Sequence, residues 1–147
     1  VIARESDSTE PDKLAQESGA YAIGYNAISQ DVAPDAVLTA PIWDWGVYYK
    51  DTVEKAYNDE WESHAYWGHM ADGVLELAPF GDMVPQEVRD EVSAARAEIV
   101  SGDMHPFSGP IRDQDGEVRV AEGETMTDEA LLSFDWLVEG VVGQIPQ

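Results

Sequence analysis

The sequence predicts an α/β protein built on parallel strands, on three observations. Short apolar runs alternate with amphipathic helical segments, the helices open on polar caps, and glycines close two of them. Residues 1–4 read as the end of a buried strand. Thr9-Glu10-Pro11-Asp12 opens the first helix: Pro sits where no helical N–H is needed, acids lie beside the positive helix end, and Gly19 closes it. Apolar runs at 20–25 and 36–41 supply the next strands, separated by a polar loop at 26–34. A helix is expected over 44–58. Its Tyr49, Val53, Ala56 and Tyr57, at i, i+4, i+7 and i+8, form a stripe expected to be buried.

Further along, residues 74–78 read as a strand, and Pro85 opens a helix towards Gly102 with Val88, Val92, Ala95 and Ile99 on one face. Residues 107–111 and 117–120 flank Asp113-Gln114-Asp115-Gly116, where Asp-Gly predicts a tight turn between antiparallel strands. Thr127-Asp128-Glu129 announces a last helix running towards Gly140. There are no internal repeats and no low-complexity stretches.

Composition narrows the function. Five Trp, six Tyr and three Phe among 147 residues supply enough apolar surface for a folded chain, so this is not a disordered acidic tail. Thirty acids against eight Lys and Arg give a formal charge of −22, and the few basic residues lie among acids. Nucleic-acid binding, which needs clustered cations, is disfavoured. A charge of this size repels itself in dilute salt, whereas molar salt shortens the Debye length to about 3 Å, so the balance reads as adaptation to salt. Cysteine is absent, which excludes disulfides, thiolate nucleophiles and Cys-based zinc sites. No apolar run reaches the roughly 20 residues of a membrane span. The chain opens at Val1 inside a strand. It therefore reads as a piece of a longer protein whose natural amino terminus lies elsewhere.

In open parallel sheets ligands bind at the carboxyl ends of strands, where loops and helix starts converge. Those ends carry Ser6-Asp7-Ser8, Tyr25-Asn26 and Trp43-Asp44-Trp45-Gly46. Such a set suits a flat, hydrogen-bonding ligand, with rings stacking on its face while Asp and Asn pair with its polar edge. Each aromatic alone is more often core than platform, but two tryptophans around an Asp at a strand-to-helix junction make a candidate site. A further aromatic cluster, Tyr66-Trp67-Gly68-His69, precedes the next strand. Enzyme signatures are missing: His64, His69 and His105 form no HExxH, and no GxSxG elbow, Walker loop or GxGxxG turn occurs. With thirty acids, a carboxylate pair at glycosidase spacing carries no information. No catalytic residue, metal site or cofactor is assigned.

Several stretches taken in order resemble one family: Asp7-Ser8, Gly19-Ala20-Tyr21-Ala22-Ile23-Gly24, Val37-Leu38-Thr39-Ala40 with Trp45-Gly46-Val47-Tyr48-Tyr49, and Trp67-Gly68 with Asp72-Gly73-Val74. His105-Pro106-Phe107-Ser108-Gly109-Pro110-Ile111-Arg112-Asp113 and Asp135-Trp136-Leu137-Val138-Glu139-Gly140-Val141 complete the set. The chain resembles, over nearly its whole length, the carboxyl-terminal portion of the basic membrane protein family of ABC-transporter solute-binding proteins. That resemblance implies a type I periplasmic-binding-protein-like fold, with two α/β lobes closing on a ligand at the hinge. It implies a purine nucleoside or base as ligand, membrane permease subunits as partners, and an extracytoplasmic location, often with a lipid anchor at the amino terminus. Asp7, Tyr25, Asn26, Trp43, Asp44, Trp45 and Trp67 are the expected ligand-binding residues. There is one departure: family members commonly place a Lys just before the Asp-Gly that leads into the 74–78 strand, and this chain has Ala71 there. The alternative is a sensory domain of the same fold that transports nothing.

Overall fold

The computed structural model describes residues 1–145. The chain divides into two compact units, Val1–Val100 and Ser101–Gln147. In the first, β1 (Ile2–Ala3), β2 (Ala22–Ile23) and β3 (Val37–Thr39) form a parallel sheet in the order β1-β2-β3. The connection from β1 to β2 is α1 (Glu10–Glu17), which ends at Ser18 with Gly19 at φ 65°, the left-handed conformation in which glycine is unstrained. The α/β class and the parallel sheet are as the alternation implied. The first strand is not buried, however. It is the sheet's edge, and Ile2 faces solvent while Arg4, just beyond it, is enclosed.

After Ala40 the chain stays extended as β4 (Pro41–Trp43), which pairs antiparallel with β5 (Leu75–Leu77) in the register Pro41↔Leu77 and Trp43↔Leu75. The strand expected at 74–78 is thus present, but it does not extend the parallel sheet. Hydrogen bonds from Ala78 N–H to the Ala40 carbonyl (2.8 Å) and from Asp44 N–H to the Val74 carbonyl (2.8 Å) close the ladder at both ends. The Thr39 hydroxyl donates to the Ala78 carbonyl at 2.8 Å. Between the parallel sheet and α1 lies a core of small side chains, Ala15, Ala22, Ala33, Ala36 and Val37. Of the largest side chains buried completely, two of three are polar, Asp12 and Ser29, and only Val37 is apolar. Methyl groups remove little area each at about 25 cal/mol per Å², so polar contacts carry an unusual share of this core's definition.

α2 (Trp45–Tyr57) begins one residue later than expected and is capped by the Asp44 carboxylate, which accepts from Gly46 N–H at 2.9 Å. Its stripe is not buried: Tyr49, Val53 and Tyr57 are 60%, 67% and 88% exposed, and Ala56 is exposed as well. Among the described residues no helix or strand packs extensively against α2. Within the helix Trp45 stacks on Tyr49 at 6.4 Å, and Tyr48, outside the stripe, meets Tyr66 of the following segment at 4.4 Å. A single 3-10 turn, Met70–Asp72, leads into β5. α3 (Gln86–Ser101) matches the expected helix. Val92, Ala95 and Ile99 are half-buried and Val88 is exposed. Arg89 ties its start to the preceding loop, donating to the carbonyls of Val84 (2.8 Å) and Gly81 (2.9 Å).

In the second unit β6 (Ile111–Arg112) and β7 (Val118–Val120) pair antiparallel around the expected Asp-Gly turn. Asp113 organises that turn. Its Oδ1 accepts from the N–H groups of Asp115 (2.9 Å) and Glu117 (3.0 Å), and its Oδ2 accepts from Arg119 Nε (2.6 Å). α4 (Asp128–Leu132) starts at its Thr127 cap but stops far short of Gly140. Competing pairing explains the early end: Gln114 N–H bonds the Leu137 carbonyl (3.1 Å), Glu139 N–H bonds the Arg112 carbonyl (2.9 Å), and Asp113 bridges Val138. Residues 137–139 serve as extended chain beside β6 instead of as helix.

Candidate functional site

The strands of the first unit bring the candidate residues to their carboxyl ends in different degrees. Tyr25 follows β2 and Trp43 ends β4, and their rings meet edge to face, 5.4 Å between centroids and 71° between planes. Asn26 bonds through its N–H to the Pro41 carbonyl at 2.9 Å and bridges Ile42 in parallel fashion. Its φ of 61° is one that Asn tolerates better than most residues. This turn ends the strand and leaves the Asn26 side chain exposed. Asp44 follows Trp43, anchored through its backbone to Val74 and through its carboxylate to the α2 amino terminus. One carboxylate oxygen is engaged by that cap, and the residue remains exposed. Trp45, with one face turned to Tyr49, is partly exposed. Tyr25, Asn26, Trp43, Asp44 and Trp45 therefore form one continuous set.

The other two candidates stand apart from it. Asp7 lies on the exposed loop after β1, at the same end of the parallel sheet. Trp67 lies in the 58–69 segment between α2 and the 3-10 turn, and among the described residues no aromatic ring stacks on it. Ala71 is exposed on the 3-10 turn. The turn is braced by Asp72, whose carboxylate accepts from His69 N–H at 2.8 Å. Since the Val74 carbonyl accepts from Asp44 N–H, Ala71 lies close in sequence to the strand that holds the set in place. Among the described residues no group of three or more His, Asp or Glu is arranged to hold a metal ion.

Sequence reasoning missed the polar network underneath. Arg4 Nε donates to both carboxylate oxygens of Asp12 (3.1 and 2.9 Å), and the Ser29 hydroxyl donates to the same carboxylate at 2.8 Å. These partners lie 8 and 17 residues apart, so no local pattern announces them. The available signal was an Arg at a strand end in a chain with few cations.

The second unit contains a hollow of about 660 Å³ lined by residues that include Arg119, Glu124, Thr127, Ser133, Asp135 and Trp136. Most of its polar groups are already paired locally. Arg119 is held by Asp113, Glu124 accepts from Ala121 N–H, Thr127 accepts from Ala130 N–H, and Ser133 donates to the Glu129 carbonyl. The hollow is an open groove between satisfied side chains and offers no convergent set of free donors and acceptors.

Open parallel sheets gather small ligands at the carboxyl ends of their strands, which is where these aromatic and amide side chains stand. The chain belongs to the family described as ABC transporter substrate-binding protein, PnrA-like, whose model matches residues 11–105. That span includes every candidate residue except Asp7. Over 147 residues the chain is 35% identical to a purine-binding protein of Brucella abortus (strain 2308), covering 100% of this chain and 42% of that protein. It is also 35% identical to a putative ABC transporter glucose-binding protein of Haloferax volcanii, covering 99% of this chain and 35% of the other. The chain thus spans less than half the length of either relative. A crystal structure titled as a transcriptional activator of the comK gene from Bacillus halodurans is similar in fold, with a TM-score of 0.57 at 24% identity over 65% of this chain and 34% of that one.

Proposed function

We propose that the protein is an extracytoplasmic solute receptor of an ABC transporter. In this reading it closes on a purine nucleoside, a purine base or a similar heterocycle, and presents the closed form to permease subunits in the membrane. The observation that carries the reading is the joined set at the strand ends. Tyr25 and Trp43 set edge to face, with Trp45 beyond them, provide ring faces, while Asn26 and Asp44 provide an amide and a carboxylate for a heterocycle's polar edge. The Brucella relative, a purine-binding protein by name, supports a purine. The residues present here form the carboxyl-terminal portion of the receptor, and they supply one wall of the cleft. The other wall comes from the length that the relatives have in addition, and a lipid anchor at the amino terminus would hold the receptor at the membrane.

The name of the Haloferax relative makes a hexose the second ligand class to test, because ring faces and carboxylates also suit a sugar. Calorimetric titration of the full-length protein in molar salt, with adenosine, guanosine, inosine, their free bases and glucose, separates the two. One-to-one binding of a purine without turnover is the expected result. Heat with glucose alone moves the ligand class to sugars, and heat with none of them overturns the purine reading.

A further inference from the structure

Three segments that carry or adjoin the candidate ligand residues converge on a single buried ion pair. Arg4, at the end of β1, donates through Nε to both oxygens of Asp12 in the first turn of α1, and its Nη1 donates to the Ser6 carbonyl. Ser29, in the loop after β2, donates its hydroxyl to the same carboxylate. The two charged side chains are 3% and 0% exposed, so neither can touch a ligand in the open cleft. The backbone packs closely at Gly24, where a methyl group would stand 3.0 Å from Ala40 Cβ and 3.2 Å from the Ser29 hydroxyl, with Arg4 Nη2 in ordinary contact at 3.6 Å. Ser6 is the neighbour of Asp7, and Gly24 directly precedes Tyr25 and Asn26.

We propose that Arg4, Asp12 and Ser29 are positioning residues for the ligand site, fixing the 5–8 loop and the 25–29 loop before ligand arrives. The inference rests on the strand-end reading of the site given above. A purely stabilising role does not account for the network. A buried ion pair is often replaceable by apolar side chains at no loss of stability, so its net contribution is geometric definition more than energy. Each hydrogen bond here crosses between segments, linking β1 to α1, β1 to its own loop, and α1 to the loop after β2. Loops held in the bound arrangement need not be ordered on binding, which raises affinity without any contact to the ligand.

The test uses the full-length protein with the double substitution Arg4→Met/Asp12→Leu, which removes both charges together, and with the milder Ser29→Ala and Arg4→Lys. Three quantities are read: melting temperature; affinity, well below melting, for whichever of adenosine, guanosine, inosine or their bases the wild type binds tightest; and amide exchange in residues 5–8 and 25–29. The double variant is expected to lower its melting temperature only by the few degrees that the unpaired Ser29 hydroxyl costs, and to lose affinity at least about tenfold, the equivalent of roughly 1.4 kcal/mol. Exchange in both loops is expected to accelerate. Arg4→Lys is expected to recover stability but not loop protection, because an ammonium cannot reproduce the guanidinium fork. Variants that fold and bind like the wild type overturn the proposal. A wild type that binds no purine refutes the ligand reading instead, and exchange alone then decides: unchanged loops overturn the network's role. Should the double variant fail to fold, Ser29→Ala and Arg4→Lys carry the same comparison.

Discussion

Replacing Asp12 alone by Ala leaves Arg4 charged and enclosed, with its side chain 3% exposed and its carboxylate partner gone. Breaking a buried pair by removing one member costs about 3–5 kcal/mol. The hydrogen bond from Ser29, 2.8 Å in the wild type, is lost in the same step and adds about 1 kcal/mol. The expected loss of about 4–6 kcal/mol is a large part of the roughly 5–15 kcal/mol by which domains of this size are stable. Urea denaturation of wild type and variant, in about 0.1 M and about 1 M KCl, measures it. At 1 M the Debye length is about 3 Å, which screens exposed charges but not an enclosed pair, so the difference between variant and wild type should be the same at both salts. A loss below about 1 kcal/mol, or one that vanishes in molar salt, would refute the reasoning by showing that water reaches the pair.

Gly81→Ala should destabilise the first unit by about 1–3 kcal/mol in the same denaturation assay, because its Cβ would stand 2.4 Å from the Val37 carbonyl oxygen. Asp44→Ala should cost about 1 kcal/mol through the lost α2 cap and also weaken ligand binding. Asp44→Asn keeps the cap, so calorimetry on that variant isolates the carboxylate's part in recognition. In the second unit the Arg119 guanidinium, aided by backbone N–H groups, holds the Asp113 carboxyl below its ordinary value. Asp113 therefore contributes stability that is fully present above the ordinary Asp range and is lost as pH falls through its lowered value. Acid titration of Asp113→Asn, followed by the amide NMR signals of residues 111–120, should show a shallower loss at low pH than the wild type. With a net charge of −22, wild-type unfolding free energy should rise steadily from dilute to molar KCl, and a flat profile would contradict the salt-adaptation reading.

The local chemistry of the chain was legible wherever a short pattern has a single physical solution. Thr9 to Gly19 frames α1, Asp44 caps α2, Thr127 caps α4, and Asp113 to Gly116 makes the antiparallel turn, all as the residues imply. What failed was whatever depends on partners distant in sequence. The stripe of Tyr49, Val53 and Tyr57 correctly signalled a helix with one apolar side, but periodicity says nothing about what lies against that side. Here it faces solvent. The last helix was overextended because residues 137–139 pair with Arg112 to Gln114 instead, a choice made by strand pairing and not by helix propensity.

The candidate site shows the same division one level deeper. Reading strand ends located Tyr25, Asn26, Trp43, Asp44 and Trp45, which the fold joins, because a parallel sheet delivers its loops to one edge whatever their composition. The Arg4–Asp12–Ser29 network beneath them was invisible, since its members come from a strand end, a helix start and a loop and share no spacing rule. Family membership alone does not fix the ligand. Two relatives equally identical to this chain carry names that point to a purine and to glucose. The discriminating chemistry must therefore lie in positions that vary within a common frame. Ala71, where the resemblance leads one to expect a Lys, is the first such position to test. It adjoins the strand whose Val74 carbonyl holds Asp44, and without the cation the polar groups known to stand at that edge are Asn26 and Asp44. Recognition built on an amide and a carboxylate favours ligands that present both donors and acceptors on one edge, which is a narrower demand than the fold itself makes.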